Sequence, residues 1–402
     1  MATQTSCAAY GIRAGTLPSG PLGKISDVPG VTVGHCTIVT AAHKTGVTVL
    51  LPCADNPFTN KLPAASYVLN GFGKTAGLVQ IDELGTLETP IALTNTLNVG
   101  LVHDAMVEYM LRRCEEDGVS LRSVNPVVAE CNDGGLNDIA HRAVRAQHVF
   151  AAIDAAAADF ALGDTGAGKG MVCHDLKGGI GSASRVVELD GTFYTVGVLV
   201  LANHGCLRDL RIGGRVVGCE IAGEIARRAE AGQSGKAPQA QQCGEMLRAG
   251  PSVSCNLFSA EPSGGTPPVG QPGGPLSAEP PADLGSCIVI LATDLPLSSR
   301  QLGRVLRRAP VGLARLGSYI GHGSGEVFLG FSTANRVPHE SAHAVLAGTY
   351  LHEGKIDAVF RAAAEATEEA VLSAMLCADT VTGFDGSTKH SLREFAGVFC
   401  ET

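Results

Sequence analysis

Gly285-Ser286 stands at the junction of two unlike stretches of this 402-residue chain. Ahead of it, residues 262–281 hold seven prolines and five glycines. Such a segment builds neither a helix nor a central strand. Behind it runs Cys287-Ile288-Val289-Ile290-Leu291-Ala292, continuously apolar in the way of a strand covered on both faces. A serine held at such a step can attack its own preceding carbonyl. The acyl group then shifts from nitrogen to oxygen, and water hydrolyses the ester. A glycine before the serine accepts backbone conformations closed to other residues. The product carries a free α-amine, with a pKa of about 7.7–8.0, beside the hydroxyl it can deprotonate. A Gly-Ser pair alone is far more often a turn. Its weight here comes from the abrupt passage from linker to core strand.

Four further groups can carry chemistry. In Gly321-His322-Gly323-Ser324-Gly325-Glu326, Ser324 and Glu326 are two apart and share one side of an extended chain. Together they can orient a nucleophile and its ammonium group; the plainer reading is a hairpin turn with a solvated Glu. Asn203 ends the apolar run before His204-Gly205, where its amide can donate to an oxyanion. A turn Asn is the commoner case, and a loop His such as His204 is usually only solvated. Glu130, in Glu130-Cys131-Asn132-Asp133-Gly134 with Asn137 and Asp138 close by, offers a carboxylate for a substrate ammonium, against a polar turn or helix cap. Gly163-Asp164-Thr165-Gly166-Ala167-Gly168-Lys169-Gly170 nearly spells a phosphate-binding loop. Gly170 stands where a Ser or Thr must hold Mg²⁺, and the alanine-rich residues 155–161 before it are no clear strand. It reads as a decoy for a nucleotide-binding protein, and as a glycine-rich turn packed near a site.

The elements that must position these groups are mixed. Residues 31–33, 46–51, 196–201 and 287–292 read as strands, and 103–116, 219–231 and 356–376 as helices. The class is therefore α/β or α+β. The hydrophobic share of 45% and charged share of 17% allow a large core. A net charge of -9 without basic clusters argues against nucleic acid and against a basic membrane-binding patch. The run 196–202 is too short to span a bilayer, and residues 1–10 lack the pattern of a secretory signal. The thirteen cysteines form no CxxC pair. Cys173-His174 and His204-Gly205-Cys206 come nearest to metal spacing, without the paired-ligand pattern of a zinc site. The expectation is reduced, buried thiols in a cytoplasmic protein with no metal and no cofactor. A flexible linker is expected from about 233 to 284. It reads either as a boundary between two independent domains, residues 286–402 being long enough to fold alone, or as the approach to a cut before Ser286.

Taken together, the motifs resemble the DmpA-type aminopeptidase family of D-aminopeptidases/esterases and β-peptidyl aminopeptidases. The matching stretches include Asp27-Val28-Pro29-Gly30-Val31-Thr32-Val33-Gly34-His35, Leu87-Glu88-Thr89-Pro90-Ile91, Thr94-Asn95-Thr96-Leu97, Gly166-Ala167-Gly168, Lys177-Gly178-Gly179-Ile180-Gly181, Ala202-Asn203 and Gly285-Ser286. Leu291-Ala292-Thr293-Asp294, Gly323-Ser324-Gly325-Glu326 and Phe331-Ser332-Thr333-Ala334-Asn335 follow in order. The resemblance implies a four-layer α-β-β-α sandwich, similar in layers to the Ntn hydrolases but differently connected. It implies self-cleavage between Gly285 and Ser286 into an α chain, 1–285, and a β chain, 286–402, that stay together as one folded domain, with Ser286 as nucleophile, Ser324 and Glu326 assisting, Asn203 in the oxyanion hole and Glu130 anchoring the substrate amine. It further implies a metal-free homo-oligomer, a tetramer of processed pairs, acting on small peptides, amides or esters. An acyltransferase working through the same intermediate, or an inactive scaffold, are the other readings. Two departures stand out: a long linker, and Lys169 in the glycine-rich turn.

Overall fold

The computed structural model describes residues 7–233 and 283–400, so all but the ends of the expected linker lies outside the described residues. Described residues up to 224 and from 283 form one compact unit. Of a second unit, 225–281, only the end of a helix is described.

Nine principal strands make two sheets. In chain order they are β1 (Thr32–Val39), β2 (Lys44–Leu51), β3 (Asn60–Gly71), β4 (Ile91–Asn95), β5 (Val127–Cys131), β6 (Gly179–Leu189), β7 (Thr192–Asn203), β8 (Gly285–Thr293) and β9 (Ser324–Ser332). The smaller sheet runs β1-β2-β4-β5, with β4 and β5 parallel. The larger runs β3-β9-β8-β7-β6, with short strands added along β3. Its one parallel pair is β8-β9, and β7 flanks β8 antiparallel.

Helices coat the outer faces. The principal ones are α1 (Val99–Glu116), α2 (Ala146–Asp154), α4 (Ser299–Leu306), α5 (Pro310–Arg315) and α6 (Asp357–Cys377); α3 (Gly218–Gln233) runs on into the second unit. Val102, Met106, Val149 and Ala152 of α1 and α2 pack on Val47, Val49, Ala92 and Val128 of the small sheet. α6 lies across β6 and β7, and α4 across β3 and β9. Ser298 starts α4 with a reciprocal cap: its hydroxyl accepts from the Gln301 amide at 3.2 Å, and the Gln301 side chain accepts from Ser298 N at 3.0 Å. The expected helices at 103–116, 219–231 and 356–376 are α1, α3 and α6.

Between the sheets lies the main core. Leu50, Leu93 and Ala129 of the small sheet meet Leu199, Ile288, Ile290, Val327, Leu329 and Phe331 of the large one. Each of the Leu, Ile, Val and Phe side chains, fully buried, contributes about 1.5–3 kcal/mol. Along β8 and β9, Ile288, Ile290, Val327 and Leu329 point between the sheets, so Cys287, Val289, Glu326 and Phe328 point to the helix side; the pairing of β9 with β3 shifts register between Glu326 and Val327, while its pairing with β8 runs through unbroken. The layers are thus α-β-β-α, the four-layer α/β sandwich expected. Strand-face parity also sets what each candidate residue can touch.

Candidate active site

Ser286 is the second residue of β8. It lies opposite Asn203, the last residue of β7, and beside Gly325 of β9. The chain reaches this point under tight control. Asp283, inside the linker expected from sequence, is buried. Its carboxyl accepts from Gly205 N (2.9 Å), Ser318 Oγ (2.8 Å), Ile320 N (2.9 Å) and Tyr319 N (3.2 Å). Its own amide donates to the Tyr319 hydroxyl at 2.7 Å.

Gly285 follows with φ +118°, a region closed to side-chain-bearing residues. A Cβ there would stand 1.9 Å from the Asn203 carbonyl oxygen. The Ser286 hydroxyl, 5% exposed as a residue, donates to the Gly285 carbonyl oxygen at 2.6 Å. The hydroxyl therefore rests against the peptide group that sequence chemistry would have it attack. Gly325 leaves the room: a Cβ on it would lie 3.1 Å from Ser286 Oγ and 2.6 Å from the Phe72 carbonyl.

Ser324 and Glu326 do share a side, and the Ser324 hydroxyl donates to Glu326 Oε1. That side is not the one the Ser286 hydroxyl occupies. Ser286 pairs with Gly325, so its hydroxyl lies on the inter-sheet face, while Ser324 and Glu326 flank Gly325 on the opposite face. Both are fully buried. Burial pushes the Glu326 carboxyl up to about 7; the Ser324 hydrogen bond opposes this and the charge of Asp283 adds to it. Glu326 Oε2 has no hydrogen-bond partner among the described residues.

The Asn203 amide is fixed from two sides. Its oxygen accepts from Val172 N at 2.8 Å, and its nitrogen donates to the Asn132 carbonyl at 3.1 Å. One N–H remains to donate. Glu130 belongs to the other sheet, at the end of β5. Its carboxyl accepts from Lys74 N at 2.9 Å and from the Thr96 hydroxyl. The next residue, Cys131, donates its thiol to the Ser286 carbonyl at 3.4 Å, which brings the two sheet ends together.

The glycine-rich turn is a packing element. Residues Gly166–Gly170 form a short 3₁₀ turn. The buried Lys177 draws carbonyls together beneath it, donating to Gly168 O (3.0 Å), Met171 O (2.8 Å) and Gly178 O (2.8 Å). A phosphate cradle would offer N–H groups there instead. Lys169 is held by an ion pair to Asp164 at 2.5 Å. A cavity of about 420 Å³ lined by Tyr10, Arg13, Arg215 and Phe399 includes none of the candidate residues. Sequence reasoning missed Asp283, Lys177 and Cys131. Only Lys177 had a signal, a lysine inside a glycine-flanked strand start.

A serine at the head of a central strand in a four-layer α-β-β-α sandwich defines the Ntn-hydrolase class of fold. The chain belongs to peptidase family S58, which it matches over residues 23–389, and it is a peptide hydrolase of that family. It is 36% identical over 386 residues to the beta-peptidyl aminopeptidase BapA of Sphingosinicella xenopeptidilytica, covering 93% of this chain and 85% of that one. Among solved structures it is similar to the PH0078 protein of Pyrococcus horikoshii OT3 (39% identity, TM-score 0.80, 98% of both chains). It is also similar to the L-aminopeptidase D-Ala-esterase/amidase of Ochrobactrum anthropi, described as a prototype serine aminopeptidase with a variant Ntn-hydrolase fold (32% identity, TM-score 0.78, 98% and 97% of the chains). Among the described residues no helix is long and apolar enough to cross a membrane.

Proposed function

We propose that the chain cuts itself between Gly285 and Ser286 and that the product is a serine aminopeptidase. It releases N-terminal residues from small peptides, amides or esters through an acyl-enzyme on Ser286. The observation that carries this reading is the Ser286 hydroxyl at 2.6 Å from the Gly285 carbonyl oxygen, with Gly285 at φ +118° at the mouth of a core strand. Oγ attacks the Gly285 carbonyl carbon, the C–N bond breaks, and the proton passes to the departing nitrogen. Water then hydrolyses the ester, leaving a carboxylate on Gly285 and a free amine on Ser286.

In turnover that amine takes the hydroxyl proton as Oγ attacks a substrate carbonyl. Ser324 and Glu326 position the amine from the helix-facing side. The free N–H of Asn203 stabilises the oxyanion. Glu130 binds the substrate ammonium, displacing one of its present donors. The names of the relatives point to substrates that carry a free N-terminal amine, including β-peptides. The mature protein is then an α chain, 1–285, and a β chain, 286–402, folded together and assembled as a homo-oligomeric tetramer. The eleven described cysteines are all free thiols, which fits a cytoplasmic location.

Intact-mass measurement and N-terminal sequencing test the cut. Wild-type protein should give two fragments, the smaller beginning at Ser286, and Ser286→Ala should stay one chain without peptidase activity. A Ser286→Ala protein that still divides after Gly285 would overturn the reading. Supplying a second amine beside water separates hydrolysis from acyl transfer.

A further inference from the structure

Two short sequence features that fail as metal motifs separately are brought together by the fold. Val172–Cys173 pairs with Leu176–Lys177 as a tight hairpin whose two turn residues, His174 (φ 48°) and Asp175 (φ 58°), are left-handed. Such a turn ordinarily takes Asn or Gly. The His174 amide donates to the His204 carbonyl at 2.7 Å, which ties the hairpin tip to the turn after β7. Cys173, His174 and His204 are all buried, and one ligand atom from each lies within 4.8 Å of the other two.

The hydrogen bonding shows what is missing. His174 Nδ1 faces the Cys206 carbonyl at 3.0 Å, an acceptor, so Nδ1 carries the proton and Nε2 a lone pair. That Nε2 is buried without a partner among the described residues. His204 turns its Nδ1 toward the same cluster, 4.0 Å from Cys173 Sγ, and Nδ1 is its ligand atom. A ring that donates through one nitrogen to a backbone carbonyl and aims the other inward is the usual posture of a metal-ligating histidine. In a tetrahedral site with Zn–S of about 2.3 Å and Zn–N of about 2.0–2.1 Å, sulfur and nitrogen stand roughly 3.6 Å apart. The 4.0 Å seen here is within reach of a small side-chain adjustment.

We propose that Cys173, His174 and His204 form a buried site for one thiolate- and imidazole-seeking d¹⁰ ion, Zn²⁺ or Cu⁺. One thiolate and two imidazoles disfavour Mg²⁺, Ca²⁺ and Mn²⁺, which prefer oxygen. On binding, the S–metal bond replaces the S–H bond and the proton leaves to solvent; no electron changes hands. Asp283, whose charge acts on both histidines and which makes no ion pair among the described residues, supplies nearby negative charge. The ion touches no reacting atom. It clamps the hairpin 172–177 to His204, the residue after Asn203, and so fixes from behind the turn against which Gly285 rests.

The test uses the full-length protein after chelation and dialysis. Co²⁺ added as a spectroscopic probe should give tetrahedral d–d bands and a thiolate-to-metal charge-transfer band at one equivalent per chain. Zn²⁺ should displace it, and competition against a Cu⁺-specific chelator decides between the two ions. Cys173→Ser should abolish the charge-transfer band, and His204→Asn should weaken Zn²⁺ binding by more than about tenfold. Cys206→Ser, which removes a neighbouring thiol outside the ligand set, should leave binding intact. A chelated wild type that takes up neither Zn²⁺ nor Cu⁺ overturns the proposal whether or not the variants fold. So does a charge-transfer band that persists in Cys173→Ser.

Discussion

Gly285→Ala is the sharpest perturbation of the proposed cut, because its cost can be worked from the backbone. The added Cβ would lie 1.9 Å from the Asn203 carbonyl oxygen, where ordinary contact begins at 3.4 Å. One strand end must therefore give by about 1.5 Å, the difference between the two. The φ of +118° adds a conformational cost of roughly 1–3 kcal/mol. Moving Gly285 also moves the carbonyl that now sits 2.6 Å from Ser286 Oγ. A misplacement of about 1 Å at a reacting centre costs on the order of a hundredfold in rate. Self-cleavage of the alanine variant should therefore slow by about a hundredfold or more, read as the uncut fraction on denaturing gels after cell-free synthesis. Gly213→Ala is the control: φ is also positive, at +60°, but a Cβ there meets nothing within 4 Å. It should lose about 1 kcal/mol of stability and cut normally. If Gly285→Ala is cut as fast as wild type with an unchanged unfolding midpoint, the strained glycine has no part in the cut.

Two further perturbations address the groups around Ser286. Glu326, held at about 7 by burial, binds its proton more tightly folded than unfolded, where its ordinary value is 4.5. Its contribution is fully present below 4.5 and is lost as pH rises through about 7, on the order of 3 kcal/mol at most. Glu326→Gln in an uncut Ser286→Ala background should flatten the fall in stability across that window in urea unfolding, and an unchanged slope would refute the assignment. Asp283→Ala strands the donors of Gly205, Ser318, Tyr319 and Ile320 and should cost roughly 2–3 kcal/mol. It should also slow the cut more than an equally destabilising core substitution such as Leu199→Ala does, and equal slowing would reduce Asp283 to a general stabiliser.

What could be read from the chain was what depends on near neighbours. The apolar runs of β7 and β8 announced buried strands, and the two-residue spacing of Ser324 and Glu326 announced a shared face. The side of the sheet on which the Ser286 hydroxyl lies was not legible. It depends on β8 pairing in parallel with β9, which starts 38 residues after Ser286, in the register that sets Ser286 beside Gly325. Asp283 was hidden by its company: a proline-rich approach gives no sign that the segment ends on a buried carboxyl with four donors. Lys177 read as part of a family motif, and nothing local said that its ammonium would be caged by three carbonyls. Cys173-His174 and His204 each lack a second candidate ligand nearby in sequence, and only the closing of a hairpin onto the end of β7 brings the three together.

The opposed faces of β8 and β9 mean that the proposed cut would change the site's electrostatics. In the uncut chain the Ser286 nitrogen is a neutral amide, one strand spacing of about 4.8 Å from β9. Burial, with the charge of Asp283 adding to it and the Ser324 hydrogen bond opposing it, then raises the Glu326 carboxyl to about 7. Cleavage turns that nitrogen into an amine that can carry a positive charge. An opposite charge within about 4–6 Å favours the carboxylate, so the Glu326 value should fall once the chain is cut. The new amine meanwhile gains an acceptor that did not exist as an anion before. The pair therefore becomes a proton-handling device only after processing. Carbon-13 titration of labelled glutamate in cut wild type and uncut Ser286→Ala, with Glu326→Gln for assignment, measures this directly. A Glu326 resonance that titrates at the same pH in both would mean that the freed amine does not face it, and Ser324 and Glu326 would then need another role.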